Sequence, residues 1–166
     1  MSDCIITDQT TLRQLSAVTT MQEVKALRLR QRLRASNKTA WTKGAGLAAI
    51  QIGIPLRFAW FSIGGSDEIL LNPEIVATKG ELIFKNEGCL SIPESYVNTK
   101  RYQYIEYISE GKLKKAMNFT AVLIQHEIDH MNGILNIDRK VEEAKHDTSY
   151  EDTMDSASKY IDKYRY

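Results

Sequence analysis

The strongest constraint on this chain is the segment at residues 126–130, which reads H-E-I-D-H. Histidines four residues apart stand on one face of an α-helix, so His126 and His130 can both reach a single metal ion. Glu127 is then placed to take a proton from a water molecule that the ion activates. The apolar run at 121–124 predicts that this helix is buried. Two core histidines that fall at helical spacing are the alternative explanation.

The third ligand decides the chemistry, and the sequence offers three sources for it. A further histidine, as in the metzincin pattern, is excluded because Asn136 occupies that position. A glutamate on a later helix, as in thermolysin-like proteases, would be Glu151, although an exposed acidic helix also explains its surroundings. Cys89, preceded by Gly88, would complete a three-ligand site with an open fourth position, although a lone cysteine is often a core residue. The residues alone leave Glu151 and Cys89 both open.

The charge balance requires no polyanionic partner. The 166 residues carry 22 Lys and Arg against 21 Asp and Glu, and the length predicts one domain spanning 1–166. Residues 25–38 are basic and the segment from about 143 is acidic, for which solvated surfaces are the default explanation. Cys4 and Cys89 form no disulfide framework, which predicts a cytoplasmic location. We expect neither a signal peptide nor a membrane contact.

Hydrophobic periodicity and turn residues predict helices first, strands next and the buried helix last. The helices are expected at 10–18 and 21–36, before a loop at 37–43. The strands are expected at 57–63, 69–71, 75–78, 81–84 and 102–108, with a turn at Lys79-Gly80. Asn118 or Thr120 would cap the last helix, and Asn132-Gly133 would end it. This order predicts an α+β fold, with antiparallel sheets packed around a buried, metal-binding H-E-x-x-H helix.

Three motifs occur together in one order: G-A-G-L-A-A-I-Q at 44–51, E-G-C-L-S at 87–91 and Q-H-E-I-D-H at 125–130. In sequence, order and rough spacing they resemble the signature motifs of the peptide deformylase family, and the resemblance covers residues 44–138. This chain departs from residues common in the family at Thr7, Ile50 and Tyr96. These departures concern substrate binding and not the chemistry. The first motif also fits a dinucleotide-binding fingerprint, which we reject because no strand is predicted at 39–43.

The resemblance implies a hydrolase that removes the formyl group from the N-terminal formylmethionine of new polypeptides and releases formate. One divalent metal ion would be held by Cys89, His126 and His130. Ferrous iron is the usual ion of the family, although zinc, nickel and cobalt also suit these ligands. Glu127 would accept the proton of the attacking water and return it to the leaving amine. Glu87 and Arg101 are expected to pair beside the cysteine.

The resemblance also implies which residues contact the substrate. The backbone N–H of Leu90 and the side-chain amide of Gln51 would stabilise the oxyanion. Gly44 and Gly46 would lie against the peptide. A pocket for the methionine side chain is expected on the helix face that precedes the first histidine, formed by Phe119, Val122 and Leu123. Core packing explains each of these three apolar residues equally well.

The implied partner is an N-formylmethionyl peptide, bound by a monomer. A transient contact with the ribosome, if one forms, is expected through the basic residues 28–34 and not through the acidic segment from about 143, which we expect to be dispensable. Two other classes of function remain: a zinc endopeptidase that uses Glu151 in place of Cys89, and a metal-stabilised or RNA-binding module without catalytic activity.

Overall fold

Two three-stranded antiparallel sheets and four α-helices make up residues 2–142, the part of the chain that this computed structural model describes. The elements in chain order are α1 (Gln9–Leu12), α2 (Met21–Ala26), α3 (Leu29–Thr39), β1 (Gly46–Ala48), β2 (Phe58–Ile63), β3 (Ser66–Leu71), β4 (Glu74–Cys89), β5 (Ile92–Ser109), β6 (Lys112–Met117) and α4 (Asn118–Met131). Two 3₁₀ helices, Ala49–Ile52 and Asn136–Arg139, follow β1 and α4.

The first sheet has the order β1-β2-β3, and its middle strand is buried on both faces. Because side chains alternate along a strand, β2 contributes to two different cores. Ala59 and Phe61 pack with residues of α4, whereas Phe58 and Trp60 pack with residues of α2 and α3. This alternation places the first sheet between α4 and the N-terminal helices.

The second sheet has the order β4-β5-β6 and is built on one long hairpin. Strand β4 has 16 residues and β5 has 18, and a two-residue turn between Cys89 and Ile92 joins them. The predicted turn at Lys79-Gly80 is wrong, because both residues lie within β4 and Lys79 pairs with Tyr104. Gly80 does have the positive φ of 67° that glycine favours. The length of β5, which the sequence did not predict, supplies pairing partners that keep β4 continuous.

Helix α4 is buried as predicted, since ten of its fourteen residues are buried. Its start differs from the prediction, since neither Asn118 nor Thr120 caps it, and the side chain of Asn118 instead accepts a hydrogen bond from Gln103. The C-terminal end of α4 agrees with the prediction, because the helix ends before Asn132 and Gly133 has a φ of 71°. A side chain at Gly133 would also collide with the backbone of Arg13.

The N-terminal helices are shorter than predicted. The helix expected at 10–18 is the single turn α1, after which Ala17 forms a parallel bridge with Leu56. The helix expected at 21–36 divides into α2 and α3 at Arg28, whose φ of 53° is left-handed. Helix α3 continues to Thr39, so the predicted loop begins later. Tertiary packing overrides local propensity at both places.

The predicted fold class is confirmed, because mixed helices and antiparallel sheets surround the buried helix α4. The core around α4 takes residues from both sheets, including Phe61 of β2 and Ile105 of β5. Within residues 2–142, no helix has the length and apolar character needed to cross a membrane.

Candidate metal centre

Three potential metal ligands meet where the hairpin end touches α4. Cys89 is the last residue of β4, and His126 and His130 lie on successive turns of α4. The Sγ of Cys89 is 3.3 Å from Nε2 of His130, which is 3.1 Å from Nε2 of His126. All three ligand atoms lie within 4.8 Å of one another. The four-residue spacing therefore brings the two imidazoles to the cysteine, and this cluster can hold a metal ion.

The donor chemistry fits a divalent transition metal. One thiolate and two neutral imidazoles match sites that bind zinc, iron, nickel or cobalt and leave a coordination position open. Burial opposes ionisation of Cys89, but the adjacent His130 and His126 outweigh it and hold the pKa of the thiol well below its ordinary value. The Nδ1 of His126 lies 2.8 Å from Oε1 of Glu87, so Nε2 is left to face the cluster.

Glu87 orients His126 because the carboxylate is ionised although it is buried. Burial raises its pKa, but hydrogen bonds from His126 and Arg101 outweigh this effect and hold the pKa well below its ordinary value. The predicted pair with Arg101 is present, with Nη2 and Oε1 separated by 2.6 Å. Thr99 donates a further hydrogen bond of 2.6 Å to Oε2. An ionised Glu87 accepts a hydrogen bond from Nδ1–H of His126 and so fixes its tautomer.

A second carboxylate, which the sequence analysis did not single out, joins the same network. Asp129 accepts a hydrogen bond of 2.6 Å from Nη1 of Arg101 and a bidentate pair from Arg139 at 2.8 and 3.1 Å. Asn136 donates to the backbone carbonyl of Glu87 at 2.9 Å. The signal was present in the sequence, since Asp129 lies inside the H-E-x-x-H segment on the predicted buried helix, where a charge needs a partner.

Glu127 is buried beside the three ligand residues. Its side chain is 1% exposed, and its Oε2 has no hydrogen-bond partner within residues 2–142. Burial raises the pKa of Glu127 to about 7, against the opposing influence of His126 and His130. A carboxyl group with a pKa near neutrality can both accept and release a proton at physiological pH.

Gln51 and Leu90 lie on either side of the cysteine. Gln51, in the first 3₁₀ helix, accepts from the backbone N–H of Ala48 and donates to Oγ of Ser91 at 3.1 Å. Its Nε2 is 3.8 Å from the sulfur of Cys89, so its donor side faces the cluster. Leu90 and Ser91 form the hairpin turn between β4 and β5.

A tryptophan that the sequence analysis did not consider holds this turn. The indole Nε1 of Trp41 donates a hydrogen bond of 3.1 Å to the backbone carbonyl of Leu90, while half of the Trp41 side chain is exposed. Asn37 makes hydrogen bonds to both the N–H and the C=O of Gly44, at 2.9 and 3.0 Å. The loop after α3 is thus tied to the turn that follows Cys89.

The five residues expected to contact substrate do not share one environment. A Cβ added to Gly44 would lie 2.9 Å from Cδ1 of Leu90, and one added to Gly46 would lie 2.6 Å from Oε1 of Glu127 and 3.2 Å from Cδ1 of Leu123. Gly46 and Leu123 are therefore next to the buried carboxyl group. Val122 is buried, whereas Phe119 is partly buried and packs against Phe84 with ring centroids 6.2 Å apart.

The sequence analysis left open a rival third ligand and a basic run that could contact RNA. Glu151, the alternative third ligand, lies outside the described residues. In the basic run, Arg32 forms a bidentate pair with Asp3, and Arg34 lies 3.1 Å from a carboxylate oxygen of Asp67. These pairs reduce the positive charge that the run would offer to RNA.

Comparison with known proteins decides the family. A family model described as polypeptide deformylase matches residues 4–146. The chain belongs to the polypeptide deformylase family. The resemblance inferred from the three motifs is thereby confirmed.

Individual relatives of the family agree in sequence and in fold. A peptide deformylase of Helicobacter acinonychis is 40% identical over 111 residues, which is 59% of this chain and 63% of that protein. The alignment thus spans less than two thirds of the curated relative's length. A peptide deformylase structure from Thermotoga maritima has 30% identity and a TM-score of 0.74, covering 83% of this chain and 97% of that one. A probable peptide deformylase of Synechococcus phage S-SSM7 has 30% identity and a TM-score of 0.72, covering 81% and 97%.

Proposed function

We propose that this chain is a metal-dependent hydrolase that removes the formyl group from the N-terminal formylmethionine of new polypeptides and releases formate. The observation that carries the proposal is the buried Glu127, whose carboxyl group lies beside the converging Cys89, His126 and His130. Family membership supplies the class of reaction. A general base next to an open metal site is the arrangement that amide hydrolysis needs.

Cys89, His126 and His130 would hold the ion, which we propose is ferrous iron in the cell. When bound, such an ion supplies Lewis-acid chemistry that makes water nucleophilic at neutral pH. Glu127 takes the proton of the attacking water and delivers it to the nitrogen of the leaving methionine when the C–N bond breaks. Its pKa of about 7 suits both transfers. Glu87 keeps the Nδ1 proton on His126 throughout.

Leu90 and Gln51 would stabilise the negative charge that forms on the formyl oxygen. The donor side of the Gln51 amide already faces Cys89, and Leu90 follows that cysteine in a turn braced by Trp41. A single preorganised donor of this kind contributes roughly 3 kcal/mol of transition-state stabilisation. We therefore assign the backbone N–H of Leu90 and the side chain of Gln51 to the oxyanion.

An extended peptide can bind along β1. Among residues 2–142, β1 pairs with β2 alone and is therefore an edge of the first sheet, and an edge strand can receive an added strand. Gly46 of β1 lies against Glu127 and Leu123, and Gly44 precedes it. We propose that the peptide backbone lies along this edge, beside the two glycines. The methionine side chain would then enter an apolar pocket formed by Phe119, Val122 and Leu123.

We further propose that residues 1–166 form one domain that works as a cytoplasmic monomer, with the segment from about 143 dispensable. A transient ribosome contact would use the basic residues 28–34. This contact is expected to be weak, because Arg32 and Arg34 are already paired with Asp3 and Asp67.

The deciding experiment is an anaerobic assay of formate release. The purified chain, supplied with ferrous iron, is given a formyl-methionyl peptide, and formate and bound metal are measured together. We expect stoichiometric metal and rapid formate release. Release of amino acids from an unformylated peptide, with no formate from the formylated one, would favour an endopeptidase. Metal binding without hydrolysis of either peptide would indicate a structural metal site.

A further inference from the structure

Four buried or partly buried charges form a continuous row that leads away from the metal centre. Glu87 contacts His126, Arg101 bridges Glu87 and Asp129, and Arg139 lies at the outer end against Asp129. The side chains of Glu87, Arg101 and Asp129 are 5%, 2% and 9% exposed, whereas that of Arg139 is 43% exposed. Two carboxylates therefore face two guanidinium groups, and the outermost one reaches solvent.

The backbone holds Arg139 in this position. It ends the second 3₁₀ helix, Asn136–Arg139, and the next residue, Lys140, forms an antiparallel bridge with Thr99 of β5. Val141 then donates a backbone hydrogen bond of 2.8 Å to Asn98. The guanidinium consequently meets Asp129 with both Nε and Nη2, a geometry that lysine cannot reproduce.

We infer that Arg139 is a positioning residue for the metal centre, acting on His126 through Asp129, Arg101 and Glu87. Arg101 divides its donors between two carboxylates, and Arg139 neutralises one of them. Without Arg139, the unbalanced charge of Asp129 draws Arg101 toward itself and weakens its hydrogen bonds to Glu87. Glu87 then holds the Nδ1 proton of His126 less firmly. This inference rests on the metal centre proposed above, but not on the reaction.

The expected effect is a loss of metal affinity. Residues that hydrogen-bond a metal ligand typically contribute 10–100-fold to affinity, and Arg139 is further removed, so we expect about tenfold. The full chain loaded with Co²⁺ is challenged with a chelator, and the absorption bands of the bound cobalt are recorded. In Arg139→Gln, we expect about tenfold weaker cobalt binding and a shifted thiolate-to-cobalt band.

Arg13→Gln is the matched control, because Arg13 makes the same kind of bidentate pair with Asp138 in the same 3₁₀ helix, at 2.8 and 2.9 Å. It loosens the helix without touching Asp129, so cobalt affinity and spectrum should match the parent. Arg139→Lys restores the charge but not the bidentate geometry, and should recover part of the affinity. Thermal unfolding of all variants measures any general loosening.

A double-mutant cycle tests the route. If Arg139 acts through the charge of Asp129, Arg139→Gln should change cobalt affinity little when it is made in an Asp129→Asn background. The inference would be overturned if Arg139→Gln kept the affinity and spectrum of the parent. It would also be overturned if Arg13→Gln lost as much cobalt affinity as Arg139→Gln, or if the parent bound no cobalt. If Asp129→Asn does not fold, the comparison among the arginine variants decides the matter. Formate release, measured in parallel, tests the reaction separately, since cobalt binding can change whether or not the parent hydrolyses a formyl peptide.

Discussion

The substitution Gly46→Ala tests how closely Glu127 must be placed. The added Cβ would lie 2.6 Å from Oε1 of Glu127, whereas ordinary van der Waals contact begins near 3.4 Å. The carboxylate would have to move by about 0.8 Å. A misplacement of about 1 Å in a catalytic group can cost 10²-fold in rate, so kcat should fall on the order of a hundredfold, or about 2.7 kcal/mol.

The assay is formate release over a range of formyl-peptide concentrations, with bound metal measured on the same samples. We expect metal to stay stoichiometric, because the atoms nearest to an added Cβ belong to Glu127 and Leu123 and not to the three ligand residues. Gly111→Ala is the control for the substitution itself: an added Cβ there meets nothing within 4 Å, so its cost is confined to the backbone φ of 71°, and kcat and bound metal should match the parent. A Gly46→Ala variant that keeps full metal and a kcat within about threefold of the parent would refute the assigned role of Glu127.

Four further predictions concern the metal centre and the C-terminal segment. Glu127→Gln should retain metal but lose on the order of a hundredfold or more in turnover, and normal turnover would contradict the proton-transfer role. In the metal-free protein the raised pKa of Glu127, about 7 against an ordinary 4.5, costs stability as pH rises between these values. Glu127→Gln should therefore exceed the parent by up to about 3 kcal/mol in urea unfolding at pH 8 and match it below pH 4. Cys89→Ala should lose the metal and the thiolate-to-cobalt band, whereas Glu151→Ala should keep both, and the reverse would favour the endopeptidase. Removal of the segment from 143 should leave formate release unchanged, and a large loss would show that this segment contributes to the site.

The sequence predicted those parts of the molecule that depend on local periodicity. The apolar run and the paired histidines predicted α4, its burial and the common side of His126 and His130, because helical spacing alone determines them. The pair between Glu87 and Arg101 was also expected. The partners of Asp129 were not predicted, because Arg139 reaches this carboxylate only after the second 3₁₀ helix folds back toward β5.

The prediction of turns was wrong where strand pairing between distant residues outweighed the local preference for a turn. Lys79-Gly80 reads as a turn, but the opposite strand β5 is long enough to keep β4 intact through it. Arg28 lies in a run without glycine or proline, so nothing local indicated the left-handed residue that separates α2 from α3. The hydrogen bond between Trp41 and Leu90 joins residues far apart in sequence. No pattern within either segment predicts it.

The order of the elements has a consequence for how the site assembles during folding. Cys89, Glu127 and both histidines come from one uninterrupted stretch that runs from β4 through α4, in which each element packs on its predecessor in sequence. Such a stretch can close its hairpin turns before any contact with the N-terminal half forms, because short loops cost less entropy to close than long ones. Gly46 belongs to the other sheet and Gln51 to the 3₁₀ helix that follows β1, and both must dock onto this stretch. We therefore expect the ligand cluster to form in the earliest native-like structure, with the N-terminal half closing over it afterwards and completing the peptide-binding edge.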